Sequence, residues 1–230
     1  MGTTISFKRP DGQDVNGYLA EPPGGKNAPG IVVIQEWWGL NDQICGVADR
    51  LAAQGYRALV PDLYRGKVGL AANEAEHLMN ALDFGDAASQ DIAGAVAHLK
   101  DSGSAKVGVT GFCMGGALTL LSSVFVSNMD AGVAWYGYPP LEFIDASKIK
   151  APLMAHFAIE DVPFPIAKVD DLEKKLSAAK VVYEFHRYAA KHAFANEEAD
   201  TKGLPFLKYD AALADQAWKR TMAFFAKHLQ

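Results

Sequence analysis

Cysteine is scarce in this 230-residue chain, which holds only Cys45 and Cys113. Two cysteines do not make a disulfide framework, and a free thiol survives best in a reducing compartment, so a cytoplasmic location is expected. Long apolar runs are also missing. None approaches the roughly 18 residues that span a bilayer, and no membrane association is expected. The polar opening from Met1 to Asp11 lacks the apolar stretch of a signal peptide. Met1 to Ser6 fits the loose myristoylation pattern, but Ile5 to Lys8 reads more simply as the start of a strand. The formal charge is -5 and there is no Lys/Arg run, which argues against nucleic acid as a partner. No Cys-x-x-Cys occurs, so a thiolate metal site is not expected, and nothing in the chain calls for a metal or an organic cofactor. A monomer acting on a small molecule is the expectation.

What is present is a soluble, core-forming composition, half of it hydrophobic. Ile5 to Lys8 and Val15 to Ala20 read as an edge hairpin about Pro10-Asp11-Gly12. Buried strands are expected at Gly30 to Gln35, Arg57 to Pro61, Lys106 to Thr110, Ala131 to Tyr136 and Leu153 to Phe157, with a final edge strand at Val181 to His186. Helical spacing covers Asn41 to Ala53, Glu74 to Leu82, Asp86 to Leu99, Gly116 to Val124, Asp170 to Ala179 and Ala211 to Ala226. Alternating strands and helices predict an α/β fold. It is one domain over residues 1–230, with a mostly parallel sheet of seven or eight strands and helices on both faces.

The stretch Lys106-Val107-Gly108-Val109-Thr110-Gly111-Phe112-Cys113-Met114-Gly115-Gly116 organises the chain. A buried strand turns on glycines into a small-residue helix, with a cysteine at the turn. This is the form of a nucleophile elbow, Gly-x-Cys-x-Gly, on which a side chain projects above the sheet. The following helix aims unpaired N–H groups and its positive end at the same spot, favouring a thiolate or an oxyanion. Read alone, Cys113 could equally be a small buried hydrophobe.

In parallel sheets the ligand site lies beyond the carboxyl ends of the strands. Glu36, Cys113, Asp161 and His192 follow four such ends. The order Cys113, Asp161, His192 is nucleophile, acid, base, the chain order of the α/β-hydrolases. His192 then takes the thiol proton, Asp161 orients the imidazole, and Cys113 forms a thioester that water cleaves. The backbone N–H groups of Met114 and Trp37 are the expected oxyanion donors. His156, in mid-strand, reads as core, and Cys45 as a structural thiol. Glu36 is out of place beside a developing oxyanion, which suggests a switch: it contacts the thiol at rest and is displaced, or takes the proton, when substrate binds.

These residues resemble the dienelactone hydrolase (carboxymethylenebutenolidase) family of α/β-hydrolases. The matching stretches are Gln35-Glu36-x-x-Gly39, Pro61-Asp62-Leu63-Tyr64, Gly111-Phe112-Cys113-Met114-Gly115-Gly116, Asp161 followed by Pro163, and His192-Ala193-Phe194. The resemblance implies the Cys113-His192-Asp161 triad and thiol activation by Glu36. It also implies hydrolysis of 4-carboxymethylenebut-2-en-4-olide to maleylacetate. It further implies two arginines gripping the substrate carboxylate, but this chain has Asn196 at one place and Ala71-Ala72-Asn73 at the other. Arg65, Lys67, Arg187 and Lys191 are the basic residues left to substitute. Candidate substrate contacts are Trp38, Arg65, Tyr136, Phe164, Lys191 and Asn196. A carboxylesterase or thioesterase for a neutral substrate, and a non-catalytic ligand-binding protein, stay open as alternatives.

Overall fold

Ile31, Val32, Val33 and Ile34 are fully buried in strand β3 (Gly30–Ile34), and they alternate between two cores. Ile31 and Val33 face one side of the sheet, Val32 and Ile34 the other. This two-sided burial is why the run is continuously apolar. The computed structural model describes residues 2–230; Met1, and with it the start of the myristoylation-like pattern, lies outside the described residues.

The remaining strands are β1 (Thr3–Lys8), β2 (Asp14–Ala20), β4 (Arg57–Pro61), β5 (Val107–Phe112), β6 (Ala131–Trp135), β7 (Leu153–Ala158) and β8 (Tyr183–Tyr188). They form one eight-stranded sheet in the order β1-β2-β4-β3-β5-β6-β7-β8. The hairpin β1-β2 and the pair β2-β4 are antiparallel, and every other pair is parallel. β3 and β5 adjoin at the centre, so the loop after β3 and the elbow after β5 open side by side.

Helices α1 (Asp42–Ala53) and α7 (Ala211–Leu229) cover one face through Ile44, Val47, Leu51, Phe224 and Phe225. The other face is covered by α4 (Ala93–Asp101), α5 (Met114–Phe125) and α6 (Ile166–Ala178). Two further helices, α2 (Ala72–Ala81) and α3 (Phe84–Asp86), lie between β4 and α4. Side-chain caps start α1 and α7: Asn41 accepts from the Ile44 N–H at 3.1 Å and Asp210 from that of Leu213 at 3.0 Å.

Most element ends shift by a few residues from the sequence reading, and four differences bear on the site or the core. α6 begins at Ile166, not Asp170, because buried Val169 extends the Leu172-Leu176 stripe one turn back to Pro165. The last strand runs from Tyr183 to Tyr188, since Lys180, at φ 58°, Val181 and Val182 are spent on the turn that sets it beside β7. α5 starts at Met114, directly off the elbow. The helix expected at Asp86 to Leu99 is interrupted by a π-helical segment, Ala87–Ile92. There Asp91, 1 % exposed, accepts from both Arg9 and Arg65. Among the described residues no helix is long and apolar enough to cross a membrane.

Candidate active site

The elbow is built from close backbone approaches. Cys113 has φ 55° and ψ -116°, a conformation that a side-chain-bearing residue adopts only under strain. Its N–H donates to Trp135 O at 3.0 Å, while its carbonyl accepts from Gly116 and Ala117. A methyl group on Gly111 would stand 2.2 Å from Gly115 O, and one on Gly137 would stand 2.0 Å from Cys113 O. Glycine at both places lets β5, α5 and the end of β6 meet around the cysteine.

The partners of Cys113 arrive on loops tied to the sheet. Beyond β7 and β8 the pairing continues, Ile159 N–H to Tyr188 O at 2.8 Å and Glu160 N–H to Ala190 O at 3.0 Å. That continuation brings Asp161 to His192, whose Nδ1 lies 2.7 Å from Asp161 Oδ2. The other carboxylate oxygen accepts from the Phe164 N–H at 2.8 Å, and the Phe164 ring stacks on the imidazole at 5.5 Å. Lys208 N–H donates to His192 O at 3.1 Å, anchoring the histidine loop to the segment before α7. Asp161 and His192 are both buried, and Cys113 is half-buried. Burial pulls the imidazole pKa down, but charge on Cys113 and the bonds to Asp161 and Cys113 outweigh it and raise it to about 10. The Nε2 side of the ring is thereby left for the thiol.

Glu36 is buried as well, at 4 % exposure. Its Oε1 accepts from Tyr136 O–H at 3.1 Å and its Oε2 from Asn196 Nδ2 at 2.8 Å. Burial raises its pKa, and nearby His192, Asn196, Tyr136 and Lys202 only partly offset that. No hydrogen bond joins it to Cys113 among the described residues; its two oxygens are held by the uncharged donors Tyr136 and Asn196. Two candidate substrate contacts are the partners of Glu36. Asn196 is buried with both ends of its amide used, on Glu36 and on the Glu198 N–H. Tyr136 is fully buried, its hydroxyl is on Glu36 and its ring edge meets His192 at 5.2 Å.

Three of the four basic candidates are tied elsewhere, while Lys67 is exposed and its ammonium has no partner among the described residues. Arg65 binds Asp91 and Asp62 O, Arg187 binds Asp170 and Glu173, and Lys191 donates to Pro205 O. Trp38 is buried with Trp37 against it at 5.0 Å. Over Trp38 lies Lys202, Nζ 4.9 Å from the ring centre, a cation the sequence reading did not single out. It sits in the 3-10 turn Ala199–Lys202, outside any periodic or motif signal. The backbone N–H groups of Met114 and Trp37 find no acceptor among the described residues. Nor is any group of three or more His, Cys, Asp or Glu there placed to hold a metal ion.

The profile of the "Dienelactone hydrolase family" matches residues 15–229. The chain belongs to that family. "Protein usf" of Aquifex pyrophilus is 35% identical over 239 residues, covering 100% of both chains. A "Putative carboxymethylenebutenolidase" of Aquifex aeolicus is 30% identical over 240 residues, again covering 100% of both. In fold the chain is similar to a dienelactone hydrolase-like promiscuous phosphotriesterase from metagenomic libraries. The TM-score is 0.86 at 23% identity, covering 100% of this chain and 99% of that one. The architecture is the α/β-hydrolase fold, and this member of the dienelactone hydrolase family is a carboxylic ester hydrolase acting on lactone or ester substrates.

Proposed function

We propose that the protein hydrolyses a lactone or enol ester of the dienelactone kind through Cys113, His192 and Asp161. The supporting observation is the strained Cys113 turn with the buried His192–Asp161 pair, 2.7 Å apart, beside it. The thiol proton passes to His192 Nε2 and Sγ bonds the acyl carbon. The N–H groups of Met114 and Trp37 receive the oxyanion. As that carbon expels the ester oxygen, the imidazolium returns the proton to it, leaving a thioester. Water, deprotonated by His192, then cleaves the thioester, and the proton goes back to Sγ. Asp161 keeps the imidazole in the tautomer that presents Nε2 and stabilises its charged form. Glu36 tunes the thiol from its Tyr136–Asn196 clamp.

A second reading, a neutral ester or thioester as substrate, is favoured by one observation. Arg65, Arg187, Lys191 and Asn196 are all committed to partners within the protein. The test is steady-state hydrolysis of 4-carboxymethylenebut-2-en-4-olide beside neutral aryl esters, with wild type and Cys113→Ala in parallel. Loss of all turnover in Cys113→Ala and a wild-type acyl adduct on Cys113 by mass spectrometry are expected; an active Cys113→Ala enzyme would place the nucleophile elsewhere. A large kcat/KM advantage for the dienelactone supports the first reading, and an advantage for the aryl esters supports the second.

A further inference from the structure

The two candidate oxyanion donors belong to different parts of the chain. Trp37 stands in the loop after β3 and Met114 at the start of α5. Their N–H groups must hold a fixed spacing if both are to reach one oxygen, because such donors act by being placed in advance. Tyr64 touches both parts. Its ring lies under the loop after β3, close enough that a methyl group on Gly39 would come to 3.2 Å from Cδ2. Its hydroxyl donates to Met114 Sδ at 3.2 Å. A thioether is a weak acceptor, yet it is the one hydrogen-bond partner of this hydroxyl among the described residues.

Tyr64 is itself held on several sides. It is 5 % exposed. Its N–H donates to Asp62 Oδ1 at 3.2 Å and its carbonyl accepts from Lys67 N–H at 3.3 Å. The neighbouring Leu63 N–H reaches Gln35 Oε1 at 3.4 Å, next to Glu36. Farther along, Val68 bridges to Gly39 and Gly69 N–H donates to Trp38 O at 2.9 Å. The loop after β4 is therefore bound to the loop after β3 along its length, and Tyr64 carries that attachment across to Met114, beside the direct approach of Ile34 O and Gln35 O to Gly115. Residue 65, at φ 55°, turns the backbone sharply straight after it. Burial, and then Cys113, raise the phenol pKa, so the hydroxyl remains a donor through the pH range of ester hydrolysis.

We propose that Tyr64 is a positioning residue, a strut between the loop after β3 and the first residue of α5 that sets the spacing of the Trp37 and Met114 oxyanion donors. The inference rests on the Cys113 reading above. It requires no proton transfer, because the hydroxyl remains a donor to Met114 Sδ throughout.

The test uses the full-length enzyme and three measurements on Tyr64→Phe and Tyr64→Leu. The first is kcat and KM on a neutral aryl ester. The second is the affinity for an aryl trifluoromethyl ketone, which forms a tetrahedral adduct with the thiol. The third is the rate of Cys113 alkylation by iodoacetamide, which develops no oxyanion. Tyr64→Phe keeps the ring and should lower kcat and ketone affinity together by about 5- to 10-fold. Tyr64→Leu should lower both by about 100-fold, with KM and the alkylation rate within twofold of wild type. Unchanged kcat in both variants, or an alkylation rate that falls with kcat, overturns the proposal. Should Tyr64→Leu not fold, Tyr64→Phe and 3-fluorotyrosine placed at position 64 decide it. The fluorinated ring keeps its shape and donates more strongly, so ketone affinity at or above wild type is expected, and a fall to the Tyr64→Phe level counts against the strut. An inactive Tyr64→Phe whose Cys113→Ala counterpart still turns over would indict the Cys113 reading instead.

Discussion

Asp161 is the residue whose removal separates orientation from folding. Asn is nearly the same shape, but it reverses the hydrogen bond that fixes the imidazole tautomer. Asp161→Asn is expected to lower kcat on the order of 10³-fold or more, with an unchanged circular dichroism spectrum. Glu36 poses a pH question at the same scale. Burial raises its pKa, so the folded protein keeps this proton to a higher pH than the unfolded chain does. The stability this group contributes is complete below the unfolded carboxyl pKa and is lost as pH rises through the folded value. Relative to wild type, Glu36→Gln should therefore gain stability between pH 4 and pH 8. Urea midpoints at the two pH values measure it, and a constant difference would show that Glu36 does not titrate between them.

Among the elements, the elbow and the π-helical segment are where packing leaves least freedom. Gly137 follows β6, and a methyl group there would meet Cys113 O at 2.0 Å. Gly137→Ala must push the elbow away, at a cost of roughly 1–3 kcal/mol in stability, with kcat falling because Cys113 moves. A thermal melt and an esterase assay on one preparation check both. Asp91 is different in kind, because it is a buried acid between Arg9 and Arg65. Asp91→Ala leaves Arg9, itself 8 % exposed, without its most buried partner. Arg9 keeps Asp11 and Asp86, so a loss of about 1.5–3 kcal/mol is expected from the lost charged hydrogen bonds, with KM unchanged in the molecules that remain folded. Denaturant titration gives the first figure and kinetics well below the unfolding midpoint gives the second.

For the whole molecule, two histidines push the pH dependence of stability in opposite directions. His156 is fully buried, bonded to Tyr188 and Thr221, and burial followed by the charges of His186 and Arg220 holds its pKa well below the usual value. The unfolded chain therefore binds that proton more readily, and stability falls as pH drops below about 6.5. His192 is raised to about 10, so its contribution is complete below about 6.5 and is lost as pH climbs toward 10. Stability should peak near neutrality and decline on both sides. Charge on Cys113 is the largest of the influences that raise His192, so the alkaline decline should flatten in Cys113→Ala while the acid decline persists. Unfolding free energies at pH 5, 7 and 9 for the two proteins decide this.

Much of this was legible before any coordinates. The apolar runs at β3, β4, β5, β6 and β7 announce strands buried on both faces, because only helices on both sides of a parallel sheet can cover them. Gly111, Cys113 and Gly115 mark the elbow because their spacing is local chemistry, and the matching stretches around Glu36 and His192 carry the family. What the sequence could not decide is which distant groups meet. Asn196 and Tyr136 look like groups free to touch a ligand until the fold sets them 2.8 Å and 3.1 Å from Glu36. Arg65 looks like a spare cation until the π-helical segment presents Asp91 to it. Lys202 and the Tyr64–Met114 contact carry no local signature at all. Periodicity and motifs report what one segment needs from its surroundings. Which side chain meets that need depends on long-range packing, and a buried charge takes whichever partner the sheet order brings within about 3 Å.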